Sequence, residues 1–165
     1  MKCKVCKKKS SNECCSVECA IKYIEIKKQK DWQERKKIMI ENLETTTDIM
    51  KKIEVDFNTY IRKRDFMNGC ISCGKAFKLD DCVAGHFYDT KNEHLRFNEL
   101  NVNAQCIQCN KHFHGNLIKY RINLEKKIGT SNLKMLDELS EKKYRYNKLE
   151  LKHLHNHVKN ILKNN

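Results

Sequence analysis

The stretch that decides the fold runs from Cys70 to Asn116 and reads CISCGKAFKLDDCVAGHFYDTKNEHLRFNELNVNAQCIQCNKHFHGN. Two Cys-x-x-Cys pairs bracket most of it, Cys70/Cys73 and Cys106/Cys109. Four thiolates in two close pairs are the ligand set of a tetrahedral structural zinc ion. Zinc would supply folding energy that so short a segment lacks. The spacing therefore predicts a zinc-bound core, and the simplest alternative is a zinc knuckle with no further role.

Polar residues between and beside the cysteine pairs suggest chemistry. His86 lies in the run Val-Ala-Gly-His-Phe-Tyr, which is typical of a short strand, and Asn101 is expected in a loop before Cys106. We expect a helix to begin at Asn110 and to end near Lys127. Because side chains four residues apart share a helical face, Asn110 and His114 would then point the same way.

A strand histidine, a loop asparagine and a helix-start Asn/His pair around a four-thiol site resemble the HNH nucleases, also called His-Me finger or ββα-metal enzymes. The run NVNAQCIQCN is similar to that family's Asn-x4-Cys-x2-Cys-[Asn/His] motif. More specifically, YIRKRD, CISCG, AGHF, LRFNELN, QC-x2-CN-x-H and GNL-x2-YR resemble the phage recombination protein NinG (Rap) family, over about residues 60–129. That resemblance implies a structure-specific endonuclease acting on Holliday junctions and D-loops.

The resemblance also implies site roles. His86 would be the general base, since a neutral imidazole near pH 7 can take a proton from water. Asn101 would orient that imidazole at its far nitrogen. One Mg²⁺ or Mn²⁺ ion would bind the scissile phosphate, with Asn110 and His114 as ligands and His112 as an alternative to them.

One position departs from the broader HNH pattern. Many members carry Asp or His just before the base, as a metal ligand, whereas Gly85 stands there in this chain. Either a nearby carboxylate such as Asp81 or Asp89 substitutes, or the ion is held weakly through water. The NinG pattern shares this Gly-His pair, so the departure does not indicate an inactive enzyme.

A second set of thiols opens the chain. Cys3, Cys6, Cys15 and Cys19 have zinc-ligand spacing, and Cys14 competes with Cys15 for the third place. Cys15 is preferred because Cys15-Ser-Val-Glu-Cys19 resembles the knuckle-to-helix turn of short zinc ribbons. Interleaved lysines would lie near any phosphate this finger meets. A purely structural finger with solvated lysines is nearly as good an interpretation.

The net charge and the cysteine content limit the classes of protein to which the chain could belong. The chain has 165 residues, a formal net charge of +13 and 10 cysteines. The basic balance favours a polyanion partner, although Lys-rich usage alone could produce it. The start, MKCKVCKKK, lacks the apolar core of a signal peptide, and no run is long enough to cross a membrane. These features predict a cytoplasmic protein whose cysteines bind metal rather than form disulfides.

Helical segments flank the motif. We expect a helix over 20–44, a break at the threonines that follow, and a second helix that Asp48 caps and that ends near Phe66. After the motif, a short helix should start at Ser131 and a last one near Glu141. The three histidines at 153, 155 and 157 are expected on the surface, because residues two apart on a helix point in different directions.

The predicted fold class is α+β, with a small zinc-bound ββα-metal (HNH-like) core, long flanking helices and an N-terminal four-cysteine zinc finger. The predicted divisions are the finger (1–19), a basic helical arm (20–47), the nuclease core with its leading and trailing helices (48–130) and a C-terminal helical arm (131–165).

The predicted function is a metal-dependent endonuclease on branched DNA. Two symmetric cuts on a four-way junction suggest a homodimer through the long helices. Rival interpretations are an HNH nicking or homing-type nuclease on duplex DNA and a non-catalytic zinc-finger DNA-binding protein. Candidate phosphate contacts, each with helix or loop capping as the alternative role, are Arg62, Lys63, Arg64, Arg96, Lys119 and Arg121.

Overall fold

The structure is a computed structural model that describes residues 1–78 and 80–164, without the side chains of residues 41 and 42. Its helices are α1 (Val17–Leu43), α2 (Thr46–Asp65), α3 (Glu93–Arg96), α4 (Leu117–Ile128), α5 (Thr130–Ser140) and α6 (Lys148–Asn164), and its strands are β1 (Cys82–His86) and β2 (Val102–Cys106). The mixed α+β class is confirmed. The chain divides into two compact units, residues 1–44 and 45–165, which are described separately.

The first unit joins a cysteine-rich loop to α1. Lys2 and Lys9 form an isolated antiparallel bridge that closes the loop. The Ser16 hydroxyl caps α1 by accepting a hydrogen bond from the Cys19 amide at 3.3 Å. The expected helix therefore begins a few residues earlier than predicted, because a serine N-cap satisfies an amide of the first turn.

The second unit begins with a capping box at the start of α2. The Thr45 hydroxyl accepts from the Asp48 amide at 3.2 Å, and the Asp48 carboxylate accepts from the Thr45 amide at 3.1 Å. The prediction that Asp48 is the N-cap was wrong by one helical turn. Thr45 takes that place, and Asp48 is the acidic third residue that completes the box.

The apolar stripe of α2 forms the main core. Ile49, Ile53, Phe57 and Ile61 are buried against Leu151 and Val158 of α6 and Val102 of β2. The segment 131–165, expected to extend as an arm, therefore packs into the second unit. Its last helix begins at Lys148 rather than near Glu141. His155, expected on the surface, lies 3.0 Å from the Asp56 carboxylate of α2.

The two strands form an antiparallel sheet between α2 and α4. Cys82 pairs with Cys106 at one end and His86 pairs with Val102 at the other. Ala84 and Val102 belong to the core that includes α2. Because side chains alternate across a sheet, the neighbouring positions face α4, where the Tyr120 hydroxyl donates to the Gly85 carbonyl at 2.9 Å. Within the described ranges, no helix has the length and apolar character needed to cross a membrane.

A buried ion cluster joins α2, β2 and α4. The Asp65 side chain is only 3% exposed and accepts from Arg64 at 2.7 Å, from Lys127 at 2.8 Å and from the Ala104 amide at 3.1 Å. Burial opposes the charged carboxylate, but the hydrogen bonds from Arg64 and Lys127 outweigh it and lower the pKa of Asp65. The cluster therefore stabilises the fold as an ionised network at neutral pH.

We expect Asp65→Ala to lower the free energy of unfolding by about 3–5 kcal/mol, because it leaves two cations and a buried amide without their acceptor. Urea unfolding of the zinc-loaded protein at neutral pH measures this change. The control is Asp137→Ala, which removes a more exposed ion pair with Arg121 and a hydrogen bond from the Tyr88 hydroxyl and should cost about 1–2 kcal/mol. Equal losses in the two variants would contradict the buried-network account.

Candidate metal centres and active site

The core thiols meet at one point beside the sheet. The Sγ atoms of Cys70, Cys73, Cys106 and Cys109 all lie within 4.8 Å of one another. Cys106 ends β2, and the Cys70 turn is closed by the Gly74 amide, which donates to the Cys70 carbonyl at 2.8 Å. Sulfurs about 2.3 Å from a central ion fit this spacing, so the four thiols suit a tetrahedral zinc site.

The N-terminal thiols form a second cluster. The Sγ atoms of Cys3, Cys6, Cys15 and Cys19 also lie within 4.8 Å of one another. The cluster contains the sulfur of Cys15 and not that of Cys14, which agrees with the preference for Cys15. Hydrogen bonds from the backbone of Cys6 and Val5 lower the pKa of the Cys3 thiol, which favours the thiolate form that zinc binds.

His86 lies at the end of β1 with one ring nitrogen fixed. Its Nε2 atom lies 2.9 Å from the Arg96 carbonyl oxygen. A carbonyl only accepts hydrogen bonds, so we assign the proton to Nε2, which leaves Nδ1 as the lone-pair nitrogen. Burial lowers the pKa of His86, so the imidazole is neutral at pH 7. A neutral ring with a basic Nδ1 is the form a general base requires.

Asn101 does not take the role predicted for it. Its Oδ1 accepts from the Tyr88 amide at 2.8 Å, and its Nδ2 donates to the carbonyls of Tyr88 and Leu95 at 3.0 Å. The fully buried amide therefore holds the loop between the strands. The imidazole is oriented by the Arg96 carbonyl instead. Sequence reasoning missed this group because a backbone carbonyl has no side-chain signature.

The helix expected from Asn110 does not form. Residues Gln108–His112 make one wide helical turn, and the chain then reverses through His114 (φ 48°), Gly115 (φ 85°) and Asn116 (φ 45°) before α4 begins. The Gly115 carbonyl accepts from Ser72 Oγ at 3.1 Å and from Gln105 Nε2 at 2.6 Å, which fixes the reversal. Asn110 and His114 consequently do not share a helical face.

The turn that carries the predicted ion ligands is anchored to β2 at a different position from His86. The turn that carries them is tied to Gln105, next to the Cys106 end of the sheet, whereas His86 lies at the opposite end. Gln105 is three residue steps along β2 from Val102, the partner of His86, which corresponds to about 10 Å. The described residues contain no cluster of three or more His, Cys, Asp or Glu ligands other than the two thiol sets. Asn110, His112 and His114 stay predicted ligands for Mg²⁺ or Mn²⁺.

Gly85 has a packing reason to lack a side chain. A Cβ atom on Gly85 would lie 2.0 Å from Oε1 of Gln105, a fully buried residue. Of the two carboxylates considered as substitutes, Asp81 accepts from the Ile107 amide at 2.9 Å and so caps the wide turn. Asp89 is the one of the two that interacts electrostatically with His86.

The structure separates the predicted DNA-contact residues into two groups. Three of the arginines are held by carboxylates: Arg64 by Asp65, Arg96 by Glu54 at 2.6 Å, and Arg121 by Asp137 at 2.6 Å. Arg64 is also bound to the backbone of β2, so its role in the fold is structural. Arg62, Lys63 and Lys119 are exposed and stay candidate phosphate contacts.

The structure is that of a small α+β protein with two four-thiol clusters, each of which could hold a zinc ion. The family model described as "Bacteriophage Lambda NinG protein" matches residues 1–165, and the chain belongs to that family.

Relatives from three phages resemble part of the chain. Protein ninG of Escherichia phage lambda is 42% identical over 81 residues, covering 48% of this chain and 39% of the relative. Protein ninG of Salmonella phage P22 is 36% identical over 104 residues, covering 62% and 50%. Protein ninG of Escherichia phage 933W is 41% identical over 81 residues, covering 48% and 40%. The chain thus spans half or less of the length of these relatives, and no solved structure matches it.

Proposed function

We propose that this protein is a divalent-metal-dependent endonuclease that hydrolyses phosphodiesters in branched DNA, such as Holliday junctions and D-loops. The observation that carries the proposal is His86, a neutral imidazole whose Nε2 is held by the Arg96 carbonyl and whose Nδ1 is basic. It ends a strand of a sheet whose other end carries the core thiol cluster. The resemblance of the His86–Asn101–Asn110 order to HNH nucleases supports the reaction class.

His86 would start the reaction by removing a proton from water. The water oxygen then forms a bond to phosphorus while the bond to the leaving sugar oxygen breaks. The Arg96 carbonyl accepts the Nε2–H throughout, so it also stabilises the imidazolium that forms. A bound Mg²⁺ or Mn²⁺ ion would supply charge stabilisation at the phosphate.

The ligands of that ion stay a prediction. Mg²⁺ in phosphoryl-transfer sites often keeps several waters and binds through one or two carboxylates together with the phosphate itself. Asp89 interacts electrostatically with His86 and joins Asn110, His112 and His114 as a candidate, whereas Glu54, which also interacts with His86, is held by Arg96. Alanine substitution at each position distinguishes these candidates. The quantity measured is the Mg²⁺ concentration that gives half-maximal cleavage, which should rise when a ligand is removed.

The pH profile of cleavage should report on His86. Only the neutral ring can accept a proton, and burial places its pKa below the ordinary value of about 6.5. Single-turnover cleavage with saturating metal and DNA should therefore fall as pH drops through a midpoint below about 6.5 and should change little between pH 7 and 8. A midpoint above pH 7 attributable to His86 would contradict the assignment.

The rival with an observation in its favour is a non-catalytic zinc-dependent DNA-binding protein, because the described residues hold no cluster of three or more His, Cys, Asp or Glu ligands apart from the two thiol sets. The deciding experiment compares a labelled four-way junction with a linear duplex of the same sequence, with and without added Mg²⁺ or Mn²⁺. The metal should be omitted rather than chelated, since a chelator would also remove zinc from the thiols. Junction binding without cleavage in either metal would favour the rival, and equal cleavage of the linear duplex would favour a duplex nickase.

A further inference from the structure

A basic groove lies along the connection between α5 and α6. We call it the 140–145 groove. It has a volume of about 780 Å³ and is lined by Lys91, Asn92, Glu93 and residues 140–145. We infer that the 140–145 groove binds a segment of single-stranded nucleic acid. The inference rests on the proposed function in one respect: the proposed function identifies the nucleic acid as an unpaired strand of a branched DNA.

The charges in the groove favour a phosphate backbone. Lys91, Lys142, Lys143 and Arg145 contribute four cations against the carboxylates of Glu93 and Glu141. Among the residues that the structure describes, none of these four cations makes a salt bridge. They differ in this from Arg64, Arg96 and Arg121, which carboxylates already hold. Unpaired cations can exchange their counterions for phosphates, and that exchange drives binding to nucleic acid.

An aromatic side chain in the groove favours unpaired bases. Tyr144 is 38% exposed. It stands edge-on to Tyr146, with centroids 5.0 Å apart and an interplanar angle of 88°, and lies 5.0 Å from the His94 ring. These neighbours fix the orientation of the ring. The Tyr144 hydroxyl also interacts with the Glu150 carboxylate. A fixed, partly exposed ring beside cations is the combination by which proteins bind single strands, because every unpaired base offers a face for stacking.

The groove adjoins the loop that leads away from His86. Asp89, which interacts electrostatically with His86, accepts a hydrogen bond from the Lys91 amide at 2.8 Å. The Asn92 amide donates to the Asp89 carbonyl at 3.0 Å, and the Asn92 side chain donates to the Ser140 carbonyl at 2.7 Å. The same loop therefore reaches both the candidate base and the groove wall. A strand held in the groove would leave it beside the end of β1.

The test measures binding by fluorescence anisotropy of a labelled oligothymidylate, using the full zinc-loaded chain without Mg²⁺. The groove variant is Lys142→Ala/Lys143→Ala. The matched control, Lys159→Ala/Lys163→Ala, removes the same charge from exposed positions of α6. Losing two phosphate contacts should weaken binding about tenfold and reduce the slope of log K against log salt by about 1.4. Equal affinities and slopes in the two variants would overturn the inference.

Tyr144 supplies an independent test. Tyr144→Ala should weaken binding roughly five- to a hundredfold, whereas Tyr144→Phe should bind like the parent, because stacking needs the ring and not the hydroxyl. Thermal melting confirms that both variants are folded. Equal binding by Tyr144→Ala and the parent, or tighter parent binding to a duplex of equal length than to the single strand, would overturn the assignment.

These measurements involve no cleavage, so the two proposals fail separately. If the protein binds single strands through the groove but never cuts a junction, the endonuclease proposal is wrong and the groove proposal stands. If the protein cuts junctions but the groove variants bind single strands like the parent, only the groove proposal is wrong.

Discussion

His86→Ala is expected to slow junction cleavage by about 10²–10⁴-fold while zinc content and junction binding stay unchanged. The reason is the position of the imidazole: its Nε2 donates to the Arg96 carbonyl, and its Nδ1 is the only basic atom the ring can offer to water. Removing the ring leaves water to attack without a base. Single-turnover cleavage of a labelled four-way junction, with protein in excess and Mg²⁺ present, measures the loss directly.

Two further variants make this result interpretable. His86→Gln places an amide that can still donate to the Arg96 carbonyl but has no basic nitrogen, so it should be folded and as inactive as alanine. His157→Ala removes an exposed imidazole of α6 and should cleave like the parent. If His86→Ala cleaves within a few-fold of the parent, His86 is a packed histidine with no catalytic role.

The features that the sequence predicts well depend on short-range spacing. Cys70 and Cys73, or Cys106 and Cys109, need only one tight turn to bring their thiols together, and the structure forms both clusters. The same holds for the strand that ends at His86 and for the apolar stripe of α2. In each case neighbours in sequence determine the local geometry, whereas the meeting of the Cys70/Cys73 pair with the Cys106/Cys109 pair also depends on contacts between distant parts of the chain.

The features that the sequence mispredicts depend on contacts with residues far away along the chain. Asn110 and His114 have helical spacing, but Ser72 and Gln105 hold the Gly115 carbonyl and force a reversal there. Three successive cations end α2, and nothing local shows that only Arg64 turns inward. That choice depends on Asn103 and the β2 backbone, nearly forty residues further along the chain. Long-range polar networks of this kind override local propensity.

Cys106→Ser should unfold the second unit. Cys106 is 3% exposed and ends β2, so its thiolate would tie the sheet to the Cys70 turn through the ion. A structural zinc ion binds with an apparent free energy of about 10–16 kcal/mol at pH 7, which exceeds the usual stability of a small domain. We therefore expect the variant to carry one zinc per chain instead of two, to lose the cooperative unfolding of residues 45–165, and to lose cleavage with it.

The comparison that isolates the metal is Cys82→Ser. Cys82 pairs directly with Cys106 across the sheet and is also buried, at 9% exposure, but its thiol lies outside both clusters. The chemical change is identical, so packing and the buried hydroxyl should cost only about 1–3 kcal/mol, with both zinc ions kept. Elemental analysis beside urea unfolding separates the two effects. If Cys82→Ser and Cys106→Ser lose equal stability and the same amount of zinc, the thiols act as packed side chains, and the rigid support that the His86 mechanism requires would have to come from the hydrophobic core alone.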